Sequence, residues 1–314
     1  MQLGPGKDSG DVPDAGLPFL SAADAGLMRR LFREAMAERG RELVADGDGN
    51  LRDAQGAFYG LRTIAVLCRD HPRGKKGWPE LVAGYADALL NGHREAWAEV
   101  APMPPEQARR RIYLSVRSAA SLGPAVAGHR SAPELAPGLL ELLALDMPDA
   151  TVLLDDGQVV RLGGRESLRE AALANLRALP VPRHQRAGTV DAHFEAIIDD
   201  SHFTASRVLV MPDLLSRVFG ASAPHGVLVA IPARNFVFIH VLADKAAAPS
   251  LRLMADIART AYGREQVPIS PDVFWWQDGD WMPVPSEASD GKLILRPGPE
   301  LSFLLTNLAT RSHP

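Results

Sequence analysis

The 314-residue chain is 46% apolar and 23% charged, the make-up of an ordinary soluble globular protein, and is long enough for two domains. A net charge of −4 gives no electrostatic basis for holding nucleic acid. Its single cysteine, Cys68, excludes an intramolecular disulfide and a thiolate metal cluster.

Met1 to Gly16 are rich in Gly, Asp and Pro and lack the basic start and apolar stretch of a secretory leader. Residues 1–20 are therefore expected to be a disordered tail. Ser21-Ala22-Ala23-Asp24 resembles a capping box, and Leu27, Met28, Leu31, Phe32, Ala35 and Met36 follow at helical spacing up to Gly40. Glu42–Ala45 and Ala57–Leu61 flank a turn-rich segment and suggest a hairpin. Cys68 follows the apolar run Ile64–Leu67, so it reads as a small core residue. Pro79 opens a helix carrying Leu81, Val82, Tyr85, Ala86 and Leu89. The cluster Pro102-Met103-Pro104-Pro105 closes a first unit over 21–101.

A second domain is expected over 106–284. Arg111–Arg117, Leu139–Leu145, Thr151–Leu154 and Ala205–Met211 read as strands. Ser167-Leu168-Arg169-Glu170 is a capping box for a helix that Pro180 stops, and Pro212–Phe219 is a short helix. Val227–Ile231 and Phe236–Leu242 are apolar runs parted by Pro232–Asn235. They predict a hairpin covered on both faces, as in the middle of a sheet. A helix with Ser250 as N-cap follows. Asp278-Gly279 then joins Val273–Trp276 to Trp281–Val284 in a second hairpin. Residues 285–314 read as a polar linker and a terminal helix, Glu300–Leu308. The fold class is thus α+β, with mainly antiparallel sheets and helices packed on one face, in two units. The most apolar window, Gly226–Ala243, is broken by Pro232, Arg234 and Asn235 and cannot span a bilayer, so a cytoplasmic protein without a membrane partner is expected.

Chemistry-bearing patterns are sparse. Asp46-Gly47-Asp48-Gly49-Asn50 fails as a calcium loop: Leu51 stands where the turn needs Gly, and Ala57 where a bidentate Glu belongs. Neither a nucleophile elbow nor a phosphate-binding glycine motif is present. His193, Glu195, Asp200 and His202 are the weak catalytic candidates; Asp191, His193 and Glu195 share one face if the segment is a strand. Their spacing is too loose for a metal motif, so neither metal nor cofactor is implied. Phe274, Trp276, Trp281 and Arg234 are the binding candidates. A Trp276/Trp281 cross-strand pair would have both hairpin faces apolar, with one face either covered by the terminal helix or open to a partner.

The chain resembles the bacterial YtpQ-like proteins, the domain-of-unknown-function family 1444. The resemblance rests on motifs in order: Tyr59-Gly60-Leu61, Leu145-Asp146-Met147-Pro148-Asp149, Leu173-Ala174-Asn175-Leu176, Ala205-Ser206-Arg207-Val208-Leu209, Val229–Asn235 and Ile269-Ser270-Pro271-Asp272-Val273-Phe274. Asn235 departs from it, standing where an acidic residue is expected. The resemblance implies an α+β fold and a cytoplasmic bacterial setting, and brings no catalytic residues. The expected function is non-enzymatic binding of another protein; the alternative is a hydrolase or other enzyme built on 191–202.

Overall fold

The computed structural model describes residues 12–45, 50–54, 58–147, 150–199, 201–220, 223–265, 268–289 and 292–310. The chain is α+β and divides into two compact units, Met1–Val100 with Gly123–Ala125, and Ala101–Leu122 with Val126–Pro314. The Asp46–Gly49 turn lies outside the described residues.

The first unit runs α1 (Ala22–Glu38), β1 (Leu43–Ala45), β2 (Asn50–Asp53), β3 (Phe58–Gly60), α2 (Arg62–Arg69) and α3 (Trp78–Val100). Ser21 caps α1 by accepting from the Asp24 backbone N–H. The expected hairpin is a three-stranded antiparallel sheet, with β2 lying between the two segments read from the sequence. One expectation is corrected here. Leu17 and Leu20, assigned to a disordered tail, are buried with Met28, Phe32, Ile64, Trp78 and Val82. Two leucines in a Gly- and Pro-rich stretch are a weak pattern, but burying each contributes about 1.5–3 kcal/mol. Cys68 belongs to the same core; burial pushes its thiol up to about 12, and its carbonyl accepts from Trp78 Nε1 at 2.7 Å.

The second unit begins with α4 (Pro105–Arg111), β4 (Ile112–Ser118), α5 (Ala119–Leu122), β5 (Glu134–Ala136), β6 (Leu139–Met147), β7 (Ala150–Leu153), α6 (Asp156–Arg161) and α7 (Arg165–Ala178). These strands form one antiparallel sheet around β6. Helix α7 lays Leu168, Ala172 and Leu176 inward, and Asn175 Nδ2 ties it to the start of β4 through the Arg109 and Ile112 carbonyls. It starts at Arg165 behind Gly164, which has φ 86°, rather than at the expected Ser167 cap. Glu141, 1% exposed, is held bidentately by Arg169 at 2.8 and 2.9 Å.

There follow β8 (His184–Gly188), β9 (His193–Ile198), a 3-10 segment (Ala205–Val210), α8 (Met211–Phe219), β10 (Val227–Ala230), β11 (Phe236–Val241), α9 (Ala247–Arg264), β12 (Val273–Gln277), β13 (Asp280–Val284), β14 (Ser286–Ser289), β15 (Lys292–Leu295) and α10 (Pro299–Thr310). Six strands pair antiparallel in the order β13-β12-β10-β11-β9-β8. The apolar hairpin lies inside this sheet as its composition requires, with every β10 side chain buried. Four local readings are corrected. Ala205–Val210 is a 3-10 turn, not a strand: Ser206 Oγ accepts from the Val116 N–H, fixing the segment beside β4. Helix α9 begins before Ser250, whose Oγ instead accepts from the His193 N–H. The basic 181–188 connection contains β8, and the 285–291 linker contains β14.

The two faces of the large sheet have different covers. On one, α9 and α10 bring Leu251, Met254, Leu301, Leu305 and Leu308 against Phe238, Val273, Trp275 and Val284. On the other, Val208, Met211, Leu214 and Leu215 pack with Val116, Leu139, Val229, Ile239 and Phe274. The terminal helix therefore covers the Trp275 face, not the Trp276/Trp281 face for which it was the expected cover. Deleting Pro299–Pro314 should uncover Trp275, shifting tryptophan emission to the red and causing aggregation; Trp275→Phe should remove most of that shift. Unchanged emission and solubility after truncation would show that α10 is not a cover.

Candidate functional site

His193 and Glu195 lie two apart on β9 and so share a face, as expected, while the other sequence-predicted residues lie elsewhere. His193, at the start of β9, sets its ring 5.1 Å from that of His240. Glu195 faces β8, accepting from Arg186 Nε at 3.0 Å and lying 3.2 Å from His184 Nδ1. Burial alone would raise its carboxyl, but Arg186 and His184 outweigh burial and hold it below the usual range. Asp200 lies outside the described residues, and Asp191 sits exposed in the bend before β9. Phe274 is 3% exposed and meets the Trp281 ring edge-on at 5.8 Å. Trp276 and Trp281 pair across the hairpin as expected and are half-buried against the core. Asp278 and Gly279 both have positive φ, 51° and 102°, as a tight hairpin turn requires.

His202 and Arg234, far apart in sequence and read for different roles, are brought together. The Ala205 N–H donates to the Arg234 carbonyl at 2.9 Å, which docks the 3-10 segment on the β10–β11 turn. Arg117 on β4 joins them. Tyr113, Ser115 and Arg117 occupy alternate positions of β4 and so share a face. Tyr113 stacks on Phe203 at 4.3 Å and 17°. Ser115 is 1% exposed, and neither its Oγ nor His202 Nδ1 has a hydrogen-bond partner among the described residues.

The electrostatics of this cluster are cationic. Burial, then the neighbouring Arg234 charge, pushes Arg117 down to about 10. Burial also lowers Arg234, against the opposing pull of Glu265. His202 is held below the usual histidine range by burial first, then Arg234, with Arg117 adding and Asp146 opposing. Two half-buried guanidiniums thus face one another's field, and among the described residues neither donates a hydrogen bond.

Comparison with known proteins finds no family model, no curated protein and no solved structure that matches the chain. The site's chemistry is therefore read from its residues alone. Each guanidinium presents a planar fork of N–H donors suited to a carboxylate or phosphate. The neutral His202 and the Ser115 hydroxyl add donors without adding charge. Among the described residues, no group of three or more His, Cys, Asp or Glu is placed to hold a metal ion, and no helix is long and apolar enough to cross a membrane. Sequence reasoning missed Arg117. Its one signal was the Tyr113-x-Ser115-x-Arg117 alternation, which looks the same as an ordinary solvated strand face.

Proposed function

We propose that the protein is a non-enzymatic binding module that engages a negatively charged segment of another protein at Arg117, Arg234 and His202. The observation that carries this reading is the pair of half-buried guanidiniums, Arg117 and Arg234, without hydrogen-bonded carboxylates among the described residues. A cation withdrawn from water loses hydration that an internal or external anion must replace. An acidic side chain from a partner supplies that replacement. Glu195 is tied to Arg186 and His184 across the β8–β9 ladder, which supports a structural role for it over acid–base catalysis. The resemblance to the YtpQ-like proteins supports a bacterial, cytoplasmic setting for this role.

Acetyl-pentaglutamate titrated at low salt should bind, and Arg117→Ala or Arg234→Ala should each weaken binding by about tenfold or more. Raising the salt should weaken it further. Binding that both substitutions leave unchanged would overturn this assignment, as would no binding by the wild type.

A further inference from the structure

A second feature, independent of that cluster, is a cavity of about 310 Å³ where the end of the β4–β6 ladder meets the β12–β13 hairpin. That volume is at the small end of the range for small-molecule sites, about 300–1,000 Å³. Phe274, a binding candidate of the sequence that the cationic cluster leaves unused, forms part of its wall. It stands opposite Pro283 in the β12–β13 register, so the two share a face. Pro137, Pro271, Pro285 and the Tyr262 ring extend the apolar walls.

These walls are held in place by the chain itself. Proline rings fix their own backbone angle. The Ile269–Asp272 segment is pinned by two backbone bonds, Ile269 N–H to the Pro232 carbonyl at 2.9 Å and Ser270 N–H to the Ile231 carbonyl at 3.2 Å. The Ser270 hydroxyl in turn accepts from the Asp272 N–H at 3.2 Å.

The charge in this lining is negative. Among the described residues that line the cavity, Asp272 carries the only carboxylate, and none is Lys, Arg or His. Its Oδ1 accepts from Ser286 Oγ at 3.2 Å, and that hydroxyl accepts from Arg259 Nη2 at 2.5 Å, so Arg259 is linked to the carboxylate through Ser286. Nothing among the described residues donates to Asp272 Oδ2.

We propose that this cavity binds a small primary arylalkylamine, its ammonium on Asp272 Oδ2 and its ring among the prolines and the Phe274 and Tyr262 rings. A carboxylate with no directly bonded cation selects a positive ligand, and an ammonium gives it a charge-assisted hydrogen bond. The aromatic walls attract the same cation, and burial favours its apolar body. The Ser118 and Ser270 hydroxyls add polarity without charge. This site does not rest on the Arg117/Arg234 cluster, which attracts the opposite charge.

Calorimetric titration with phenethylamine at pH 7 tests it, against 2-phenylethanol as the uncharged analogue and butylamine as the amine without a ring. Phenethylamine should bind with a Kd of about 1 mM or tighter, and each analogue at least about tenfold more weakly. Asp272→Asn keeps an acceptor for Ser286 and removes the charge, so it should lose about tenfold in affinity for phenethylamine while leaving the weak affinity for 2-phenylethanol unchanged. Ala120→Trp, at an exposed position of α5 that lines the cavity, should fill it and abolish binding while melting as wild type does. This variant decides the matter should Asp272→Asn fail to fold. The assignment is overturned if wild type does not bind phenethylamine, or if either analogue binds as tightly. Wild-type affinity for phenethylamine in either variant overturns it as well.

Discussion

Val229→Asp is expected to yield no soluble, folded protein. Val229 is fully buried on β10, paired with Ile239 on one side and Phe274 on the other. Its side chain packs among Ile197, Val237, Ile239 and Phe274, on the face covered by α8. Those neighbours are all apolar, so a carboxylate there must either stay charged in an apolar setting or take up a proton. Either route costs several kcal/mol, against a total stability of about 5–15 kcal/mol for a typical domain. Strand β10 joins the two halves of the six-stranded sheet, so local loss at Val229 separates β11 from β12. Val229→Ala provides the graded control. It removes about two methylene equivalents and should destabilise by about 2 kcal/mol while remaining foldable. Soluble expression of Val229→Asp with near-wild-type melting would refute this placement.

Burial on both faces was legible in the Val227–Leu242 runs because a central strand has no polar face to display. The same rule explains what was misread. Ala205, Ser206, Arg207, Val208 and Val210 are all buried, so no alternation was available to separate a strand from a 3-10 turn. The turn forms because Ser206 finds a backbone N–H on β4, a contact 90 residues away in sequence. Strand β8 was hidden for the opposite reason. His184, Gln185, Arg186 and Gly188 are exposed on a sheet edge, and their sequence reads as a polar connection. Gly226 shows a third kind of concealment. Its φ is 73°, and a Cβ there would collide with the Trp276 carbonyl oxygen. The need for glycine comes from a neighbouring strand, so nothing beside it in the sequence announces it.

The candidate site was legible residue by residue but not as a site. His202 and Arg234 were both singled out, for different roles, and nothing in their spacing places them together. The contact depends on the 3-10 segment docking on the β10–β11 turn, through Ala205 N–H to Arg234 carbonyl. Arg117 comes from another sheet altogether. Buried cations are invisible to composition, since a charged residue in a sequence is ordinarily solvated surface. Sequence alone can therefore name cations but not say which of them lack hydrogen-bond partners.

Acidification from pH 7.5 to pH 4.5 is expected to destabilise the second unit through His240. The residue is 4% exposed, its Nε2 has no hydrogen-bond partner among the described residues, and its ring lies 5.1 Å from that of His193. Burial first, then the His193 charge, lowers it from 6.5 to about 4; a hydrogen bond to the His193 backbone and the Asp244 charge oppose this, and Arg186 adds to it. The unfolded chain thus binds a proton that the folded chain refuses. Stability from this residue is complete above about pH 6.5 and falls as the pH drops toward about 4, where both states are protonated. The full shift corresponds to about 3 kcal/mol, a large fraction of a domain's margin. Urea unfolding at pH 7.5, 6.0 and 4.5 measures it. Wild type should lose most of that increment across the series, with the loss beginning near pH 6.5. His240→Phe keeps the ring volume against Phe238, Leu242 and α9 without a titrating nitrogen, so its curve should be flatter by about the same amount. Equal pH dependence in wild type and His240→Phe would show that the buried ring does not control acid stability. His193→Gln gives a second check: with the neighbouring imidazole gone, His240 should protonate more readily, so the loss should still begin near pH 6.5 but end at higher pH and be smaller.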